Sequence, residues 1–387
     1  MEFIGAMGGG VFSLLFGYIV PFLFVLAIVI FVHEMGHFLV GRWCGVGVQA
    51  FSLGFGPELV GWTDKHGTRW KVCAVPLGGY VKFAGDAGAA SNPDQEAIAQ
   101  MSEAEKAVSF HHKSVAQRAA IVAAGPIANF ILAVALFAGL LYVNGRDVIV
   151  PRVEAVIEGS AAERAGILAG DVIVEIDGRT IVGFNDMQRI VSSSAEDRLT
   201  IVVDRGGQLL SLEAVPERVE TDTAFGRQRI GMLGIQASRT EEAIRHISYG
   251  PVEALRQGVY ECFFVVERTF NYLGKLVTGR ESADQLSGPI RIAKVSGEVA
   301  TFGIVALLSL AAVLSVSIGL INLFPVPMLD GGHLMFYAVE AVRGRPLSEN
   351  AQEIGFRIGF ALVIMLMLFA TWNDIVHLTA SFTRAGT

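Results

Sequence analysis

The stretch Phe31-Val32-His33-Glu34-Met35-Gly36-His37 closes an uncharged run that begins at Val11. It reads H-E-x-x-H. Residues four apart on a helix share a face, so His33 and His37 can both turn towards one ion. Glu34 projects about 100° round from His33, beside that ion and free to act as a base. An ionised side chain mid-bilayer costs about 2.5–3.5 kcal/mol on insertion scales, and such residues are functional by default. Two imidazoles and a carboxylate at this depth point to metal chemistry rather than to chance histidine spacing.

Three further uncharged runs lie outward from it. Ala119–Val143 carries Gly125-Pro126 near its start. Val299–Leu329 is long enough for a helix and then a turn at Pro325 and Pro327, which cannot donate inside a helix. Ile358–Trp372, bracketed by Arg357 and Asp374, extends to a span of about 20 residues. Four transmembrane helices put both termini on one side. The composition agrees: of 387 residues, 52% are hydrophobic and 17% charged, below the usual quarter. A net charge of −7 and the lack of a basic face exclude nucleic acid as the main partner. Cys44, Cys73 and Cys262 are too scattered for a disulfide framework or a cysteine zinc cluster. No Lys or Arg precedes the first run, so it reads as a retained helix, not a secretory signal.

Basic residues set an orientation. Arg42, Lys65, Arg69, Lys71, Lys82, Lys106, Lys113 and Arg118 lie between the first two runs, and Arg343 and Arg345 between the last two. By the positive-inside rule both loops are cytoplasmic, and the termini and the long segment after Gly145 are extracytoplasmic. The expected order is a first span (1–43), a cytoplasmic loop (44–115), a second span (116–144), a soluble domain (145–237), amphipathic membrane-surface helices (238–298), a third span with its Asp-Gly-Gly turn (299–342), and a fourth span with the tail (343–387). In the cytoplasmic loop, Ser52–Pro57 and Val75–Phe83 are apolar, glycine-rich and too short to span. They read as β-hairpins dipping towards the site, where irregular backbone is tolerated only when buried or lining a cavity. The polar stretch Ala87–Ala107 reads as flexible. From Glu241 to Val277, apolar residues at helical spacing with interspersed charges suggest a surface helix.

A catalytic zinc normally takes three protein ligands and a water. No other histidine sits mid-span. Asp330 follows the third run, is the sole carboxylate between Glu298 and Glu340, and precedes two glycines that allow close backbone approach. A buried carboxylate needs a partner or a metal, so Asp330 is the candidate third ligand. His111-His112 reads as a solvated pair, and Asp374 and His377 as interfacial. Asn129 reads either as a helix–helix hydrogen bond or as a neighbour of the site.

Two resemblances carry the reading further. Gly159-Ser160-Ala161-Ala162-Glu163-Arg164-Ala165-Gly166-Ile167-Leu168-Ala169-Gly170-Asp171, with the strand and Asp177-Gly178 turn that follow, resembles a PDZ domain of the bacterial protease kind. PDZ domains can add a peptide to a sheet edge; a spacer or steric filter is the other role such a domain can take. H-E-M-G-H, this insert and Asn322-Leu323-Phe324-Pro325-Val326-Pro327-Met328-Leu329-Asp330-Gly331-Gly332 together resemble the site-2 protease family of intramembrane zinc metalloproteases, nearest its RseP-like (regulator of sigma-E protease) branch. Gly54–Pro57, Pro76–Lys82, Ala124–Asn129 and Leu286–Ile290 add to the match, which covers nearly the whole chain. The resemblance implies an α-helical polytopic membrane protein with membrane-associated β-hairpins and an inserted α+β PDZ domain. It implies zinc on His33, His37 and Asp330, Glu34 as catalytic base, and Asn322 near substrate or the developing oxyanion. It also implies that Gly78, Gly79, Tyr80 and Val81 pair with unwound substrate. The implied substrates are single-span proteins of the bacterial inner membrane, such as anti-sigma factors or signal-peptide remnants, already cut by another protease. Contact of a peptide or ectodomain with the PDZ domain is implied as well. The best-known members carry two PDZ domains, whereas this chain has room for one. A non-catalytic PDZ scaffold would not need the metal motif. A metal transporter would show internal repeats or several polar spans, which are absent.

Overall fold

A computed structural model describes residues 15–86, 88, 100–223, 226–237, 243–280, 283 and 288–385. Most of the polar stretch expected to be flexible lies outside them, as do Leu286 and Ser287. Four helices among the described residues are long and apolar enough to cross a membrane: Leu15–Trp43, Val115–Asn144, Ile304–Asn322 and Asn350–Val376. They coincide with the four expected spans. The chain falls into two compact units. Described residues within Met1–Phe137, Gly258–Val266 and Gly288–Val376 form the first, and those within Ala138–Gln257, Glu267–Ser287 and His377–Thr387 the second.

In the first unit, a π-turn at Leu15–Ile19 leads into α1 (Val20–Trp43). The helix runs straight through the H-E-x-x-H motif, so the two histidines sit well inside it. Next come β1 (Val48–Thr63) and β2 (Arg69–Phe83), then the short α2 (Glu103–Val108) and the long α3 (Val115–Asn144). Ser102 caps α2 in a reciprocal capping box with Glu105, so this part of the polar stretch is ordered helix. The helices α1 and α3 meet through small residues: a Cβ at Gly36 would strike the carbonyl of Ala124.

The β1–β2 pair is one ribbon folded on itself rather than separate hairpins. Ala50, Phe51, Ser52 and Leu53 each face two partners, Arg69 to Val72 on one side and Lys82 to Gly79 on the other. The remainder of β1, from Glu58 to Thr63, pairs back onto Cys73 to Arg69. The segment order is therefore 58–63, 69–73, 48–53, 79–83, with 79–83 at an edge. Gly54 (φ 88°), Gly56 (φ 83°) and Gly78 (φ 155°) make the bends, in backbone conformations that side chains other than glycine's resist. Phe51, 1% exposed, anchors the sheet; its ring stacks on Trp70 at 4.5 Å and meets Phe38 of α1 edge-on.

The second unit begins at the end of α3. It contains β3 (Arg146–Ile149), β4 (Val153–Val156), α4 (Ala161–Arg164), β5 (Val172–Ile176), β6 (Arg179–Thr180), α5 (Phe184–Ser193), β7 (Leu199–Arg205) and β8 (Gln208–Ala214). After these come β9 (Glu217–Thr223), β10 (Gly226–Met232), β11 (Ile235–Ala237) and β12 (Ile244–Ile247). The central sheet has the order β6-β5-β7-β8. Its core gathers Ile173, Ile176, Ile201 and Val203, all fully buried, against Met187 and Val191 of α5. Ser160 caps α4 through the N–H of Glu163, and Asp177-Gly178 turns β5 into β6 with both φ values positive. The stretch read as a surface helix from Glu241 is not helical throughout its described part. Ile244–Ile247 pairs with β3, and α6 (Pro251–Val277) starts only at the proline, which suits a first helical position.

Back in the first unit come α7 (Pro289–Ala300), α8 (Ile304–Asn322), α9 (Asp330–Arg343) and α10 (Glu349–Ala385), the last of which passes into the second unit from His377. Asp374, expected near the membrane interface, is not solvated. It is 1% exposed, accepts the N–H groups of Gly288 and Arg291 at the start of α7, and pairs with the buried Arg291 guanidinium. Burial of a carboxylate at that depth is tolerable because a helix N-terminus and a cation meet it there. The side chain of His377 lies outside the described residues. His111 is not simply solvated either: its Nε2 lies 2.9 Å from the fully buried carboxylate of Asp86, while His112 is exposed. The span of α10 leaves Met365, Leu366, Leu368 and Trp372 exposed, as a lipid-facing surface does.

The second unit offers a test of its own. Asp171, 1% exposed, is held bidentately by Arg205 at 2.8 Å to each oxygen. The guanidinium keeps this carboxyl below the usual carboxylate range. Arg205→Ala is expected to cost about 1–2 kcal/mol, the low end because solvent screens a side chain that is 35% exposed. A depressed folded-state pKa adds stability above the unfolded value of about 4, and that stability is lost as pH falls through the folded value. Melting curves should therefore separate wild type from the variant at pH 7 and converge below about pH 4.

Candidate metal centre

The site begins with one turn of α1. His33 and His37 stand one above the other, rings edge-to-face at 4.8 Å between centroids and Nε2 atoms 3.2 Å apart. His37 Nδ1 donates to the carbonyl of Ile121 on α3 at 2.9 Å. That turn of α3 also contains Pro126, which cannot donate to the carbonyl of Val122 and crowds it. Because a carbonyl only accepts, the proton of neutral His37 sits on Nδ1 and its Nε2 lone pair faces the site.

Asp330 arrives from the other end of the chain, as the first residue of α9. There the helix dipole favours a carboxylate. Its Oδ2 lies 3.2 Å from His33 Nε2 and its Oδ1 3.6 Å from His37 Nε2. The loop that delivers it, 323–329, is tight. Pro325 and Pro327 restrict it, and Met328 takes a φ of 87°, a strained value for a residue other than glycine. Gly331 and Gly332 are buried where a Cβ would strike the carbonyls of Leu323 and Val326. They let the helix start press against its own approach loop.

The three side chains fit a zinc ion. Metal bonds of about 2.0–2.1 Å at tetrahedral angles place neighbouring ligand atoms about 3.3 Å apart. The two Nε2 atoms lie close to that separation, Asp330 reaches each imidazole within 3.6 Å through a different oxygen, and one ligand atom from each residue lies within 4.8 Å of the others. Asp330 Oδ2 is buried and close to His33, yet it has no hydrogen-bond partner in a bonding direction. Such an atom suits a shared cation better than a shared proton. Glycine keeps the space open, since a Cβ at Gly125 would strike His37 Nε2 and come within 2.9 Å of His33 Cε1.

A cavity of about 560 Å³ opens beside these residues. Glu34, 8% exposed, lines it with Asn322 at the end of α8 and with 77–81 of β2. A Cβ at Gly79 would lie 2.9 Å from Glu34 Cγ, so the strand passes directly over the carboxylate's stem. The structure thus brings together His33, His37 and Asp330, and sets Glu34, Asn322 and Gly78 to Val81 around the same space. Asn129 is beside the site: its Nδ2 lies 3.3 Å from His33 Nδ1. His333 and Tyr337 also line the cavity and were not expected. The signal for them was their spacing of three and seven from Asp330, which puts all three on one helical face.

The profile of peptidase family M50 matches residues 21–366. The chain belongs to peptidase family M50. It is a zinc metallopeptidase, and M50 membership sets aside the scaffold and the transporter. A relative from Agrobacterium fabrum, provisionally named a zinc metalloprotease, is 55% identical over 94% of this chain and 96% of its own length. One from Rhizobium meliloti under the same provisional name is 54% identical over 92% and 96%. The metalloprotease MmpA of Caulobacter vibrioides is 42% identical over 92% and 95%. Like these relatives, this M50 peptidase is matched along almost its full length, spans included.

Gly125→Ala tests the fit. The added methyl occupies the space of the two imidazole edges, so zinc bound per purified chain should fall well below wild type, read by elemental analysis after dialysis. Wild-type zinc content in the variant would show that the ion sits elsewhere.

Proposed function

We propose that this M50 peptidase hydrolyses peptide bonds within the membrane-spanning segments of single-span membrane proteins, in the manner of the RseP-like site-2 proteases. Its substrates are stubs already shortened by another protease, in regulated intramembrane proteolysis. The observation that carries this reading is the placement of the ligand atoms: His33 and His37 lie within a helix apolar enough to span a membrane, beside a cavity walled by an extended strand.

In this reading His33, His37 and Asp330 hold the zinc. When bound, zinc polarises the scissile carbonyl and lowers the pKa of water towards about 7. Glu34 takes the proton of the attacking water on its carboxylate and hands it to the leaving amine, so no net proton is consumed. Asn322 donates to the oxyanion as charge develops on the carbonyl oxygen.

Substrate geometry follows from backbone chemistry. A helical segment has its carbonyls locked in hydrogen bonds and must unwind before attack. The edge segment 79–83 pairs on one side only, with 48–53, among the described residues. An unwound segment can add to its other side and keep its own backbone groups satisfied where water is scarce. Glycine and proline in the substrate span ease the unwinding.

The basic loops support an orientation in the bacterial inner membrane with the zinc nearer the cytoplasmic face. The segment 145–237 acts as a single extracytoplasmic PDZ module that meets the substrate's extramembrane part. Its four-stranded sheet, capped α4 and longer α5 support that assignment.

Glu34→Gln should keep its zinc and lose at least about 10²-fold in turnover on a model single-span substrate. Membrane proteomes of cells carrying this variant should accumulate truncated single-span proteins relative to wild type. Cleavage at the wild-type rate by the purified variant would remove Glu34 from the mechanism.

A further inference from the structure

A neutral imidazole binds a cation through its bare nitrogen, so His33 can offer Nε2 only with its proton on Nδ1. For His37 the carbonyl of Ile121 enforces that state. For His33 the group within hydrogen-bond distance of Nδ1 is the side-chain amide of Asn129. Asn129 is 0% exposed, in the middle of an apolar helix, and its Oδ1 has no hydrogen-bond partner.

The tie between α3 and α8 at this point does not need that side chain. It is made by the backbone carbonyl of Asn129, which accepts from Ser315 Oγ at 2.8 Å and which any residue would supply. Gly319 packs close by, where a Cβ would lie 3.1 Å from Asn129 Cβ. The backbone is thereby held, and among the described residues the hydrogen-bonding neighbour of the amide is the imidazole of His33.

The two ends of an amide are nearly the same shape, so the hydrogen bond decides which end faces the ring. With Nδ2 forward, the amide donates to Nδ1 and the ring proton moves to Nε2, 3.2 Å from the bare Nε2 of His37. The two ligands then bond to each other and His33 is closed to a cation. With Oδ1 forward, Nδ1–H donates and the lone pair of Nε2 joins those of His37 and Asp330. We propose that Asn129 is the positioning residue of the centre, its Oδ1 accepting Nδ1–H of His33 whenever metal is held. The proposal rests on His33 being a ligand. Partners of this kind fix both tautomer and ring orientation, and their loss costs about 10–100-fold in metal affinity.

Zinc affinity of the purified full chain, by competition with a chromogenic chelator, tests this in four proteins: wild type, Asn129→Ala, Asn129→Asp and His33→Ala. Asn129→Ala should bind about 10–100-fold more weakly. Asn129→Asp, which keeps an oxygen acceptor, should stay close to wild type; because it also keeps the shape of the side chain, the His33 tautomer read by NMR is what separates this role from packing. His33→Ala should be the weakest. Wild-type affinity in Asn129→Ala beside a weakened His33→Ala overturns the proposal, and so does Asn129→Asp binding as weakly as Asn129→Ala. Wild-type affinity in His33→Ala overturns the ligand reading itself, and the proposal with it. Nitrogen-15 NMR of histidine-labelled, zinc-loaded wild type needs no substitution: a proton on His33 Nδ1 is expected, and a proton on Nε2 would overturn the proposal.

Discussion

One carboxylate meets two imidazoles across nearly the whole length of the chain, and the first unit is arranged so that they can. His33 and His37 cost nothing to bring together, because one helical turn does it. Asp330 has to be delivered from a different helix, at the correct height, into apolar surroundings that penalise a lone charge. The devices that achieve this are steric. Gly36 and Gly125 let α1 and α3 approach, Gly331 and Gly332 let α9 start against its own loop, and Met328 absorbs the strain of the turn. Each would be an odd choice in a chain selected for stability alone, and each makes sense around an ion.

The folded β-ribbon is the second arrangement that depends on this one. Its edge segment lies over Glu34 through Gly79, so the strand and the carboxylate share one wall of the cavity. The aromatic stack of Phe38, Phe51 and Trp70 fixes the ribbon to α1, the helix that carries the histidines. A strand so anchored can hold an extended chain at a set distance from the metal. In the proposed function, this ties the packing of an apolar core to the choice of scissile bond.

Much of the first unit was legible in the sequence because its signals are local. The spans show as uncharged runs, the histidine pair as a spacing of four, and Asp330 as a lone carboxylate after a long apolar stretch. What was not legible depends on partners distant in sequence. No local pattern says that residues 50–53 pair on both sides, or that Asp374 finds Arg291 and the start of α7. Ile244–Ile247 read as helix because its apolar spacing continues that of α6, yet pairing with β3 overrides it. The strands β9 and β10 were missed because Glu217–Thr223 and its partner are polar on both faces and lack the alternation that marks a strand. His333 was set aside as lying outside a span, although it shares a helical face with Asp330.

The central claim is that one zinc is bound by two imidazoles and one carboxylate drawn from α1 and α9. X-ray absorption at the zinc edge of the purified full-length protein tests it most directly. The account predicts light-atom scatterers at about 2.0–2.1 Å with the outer-shell pattern of two imidazoles. It also predicts that Asp330→Ala removes a light-atom contact without adding another protein ligand. A sulfur shell at about 2.3 Å, or a spectrum unchanged in Asp330→Ala, would contradict it.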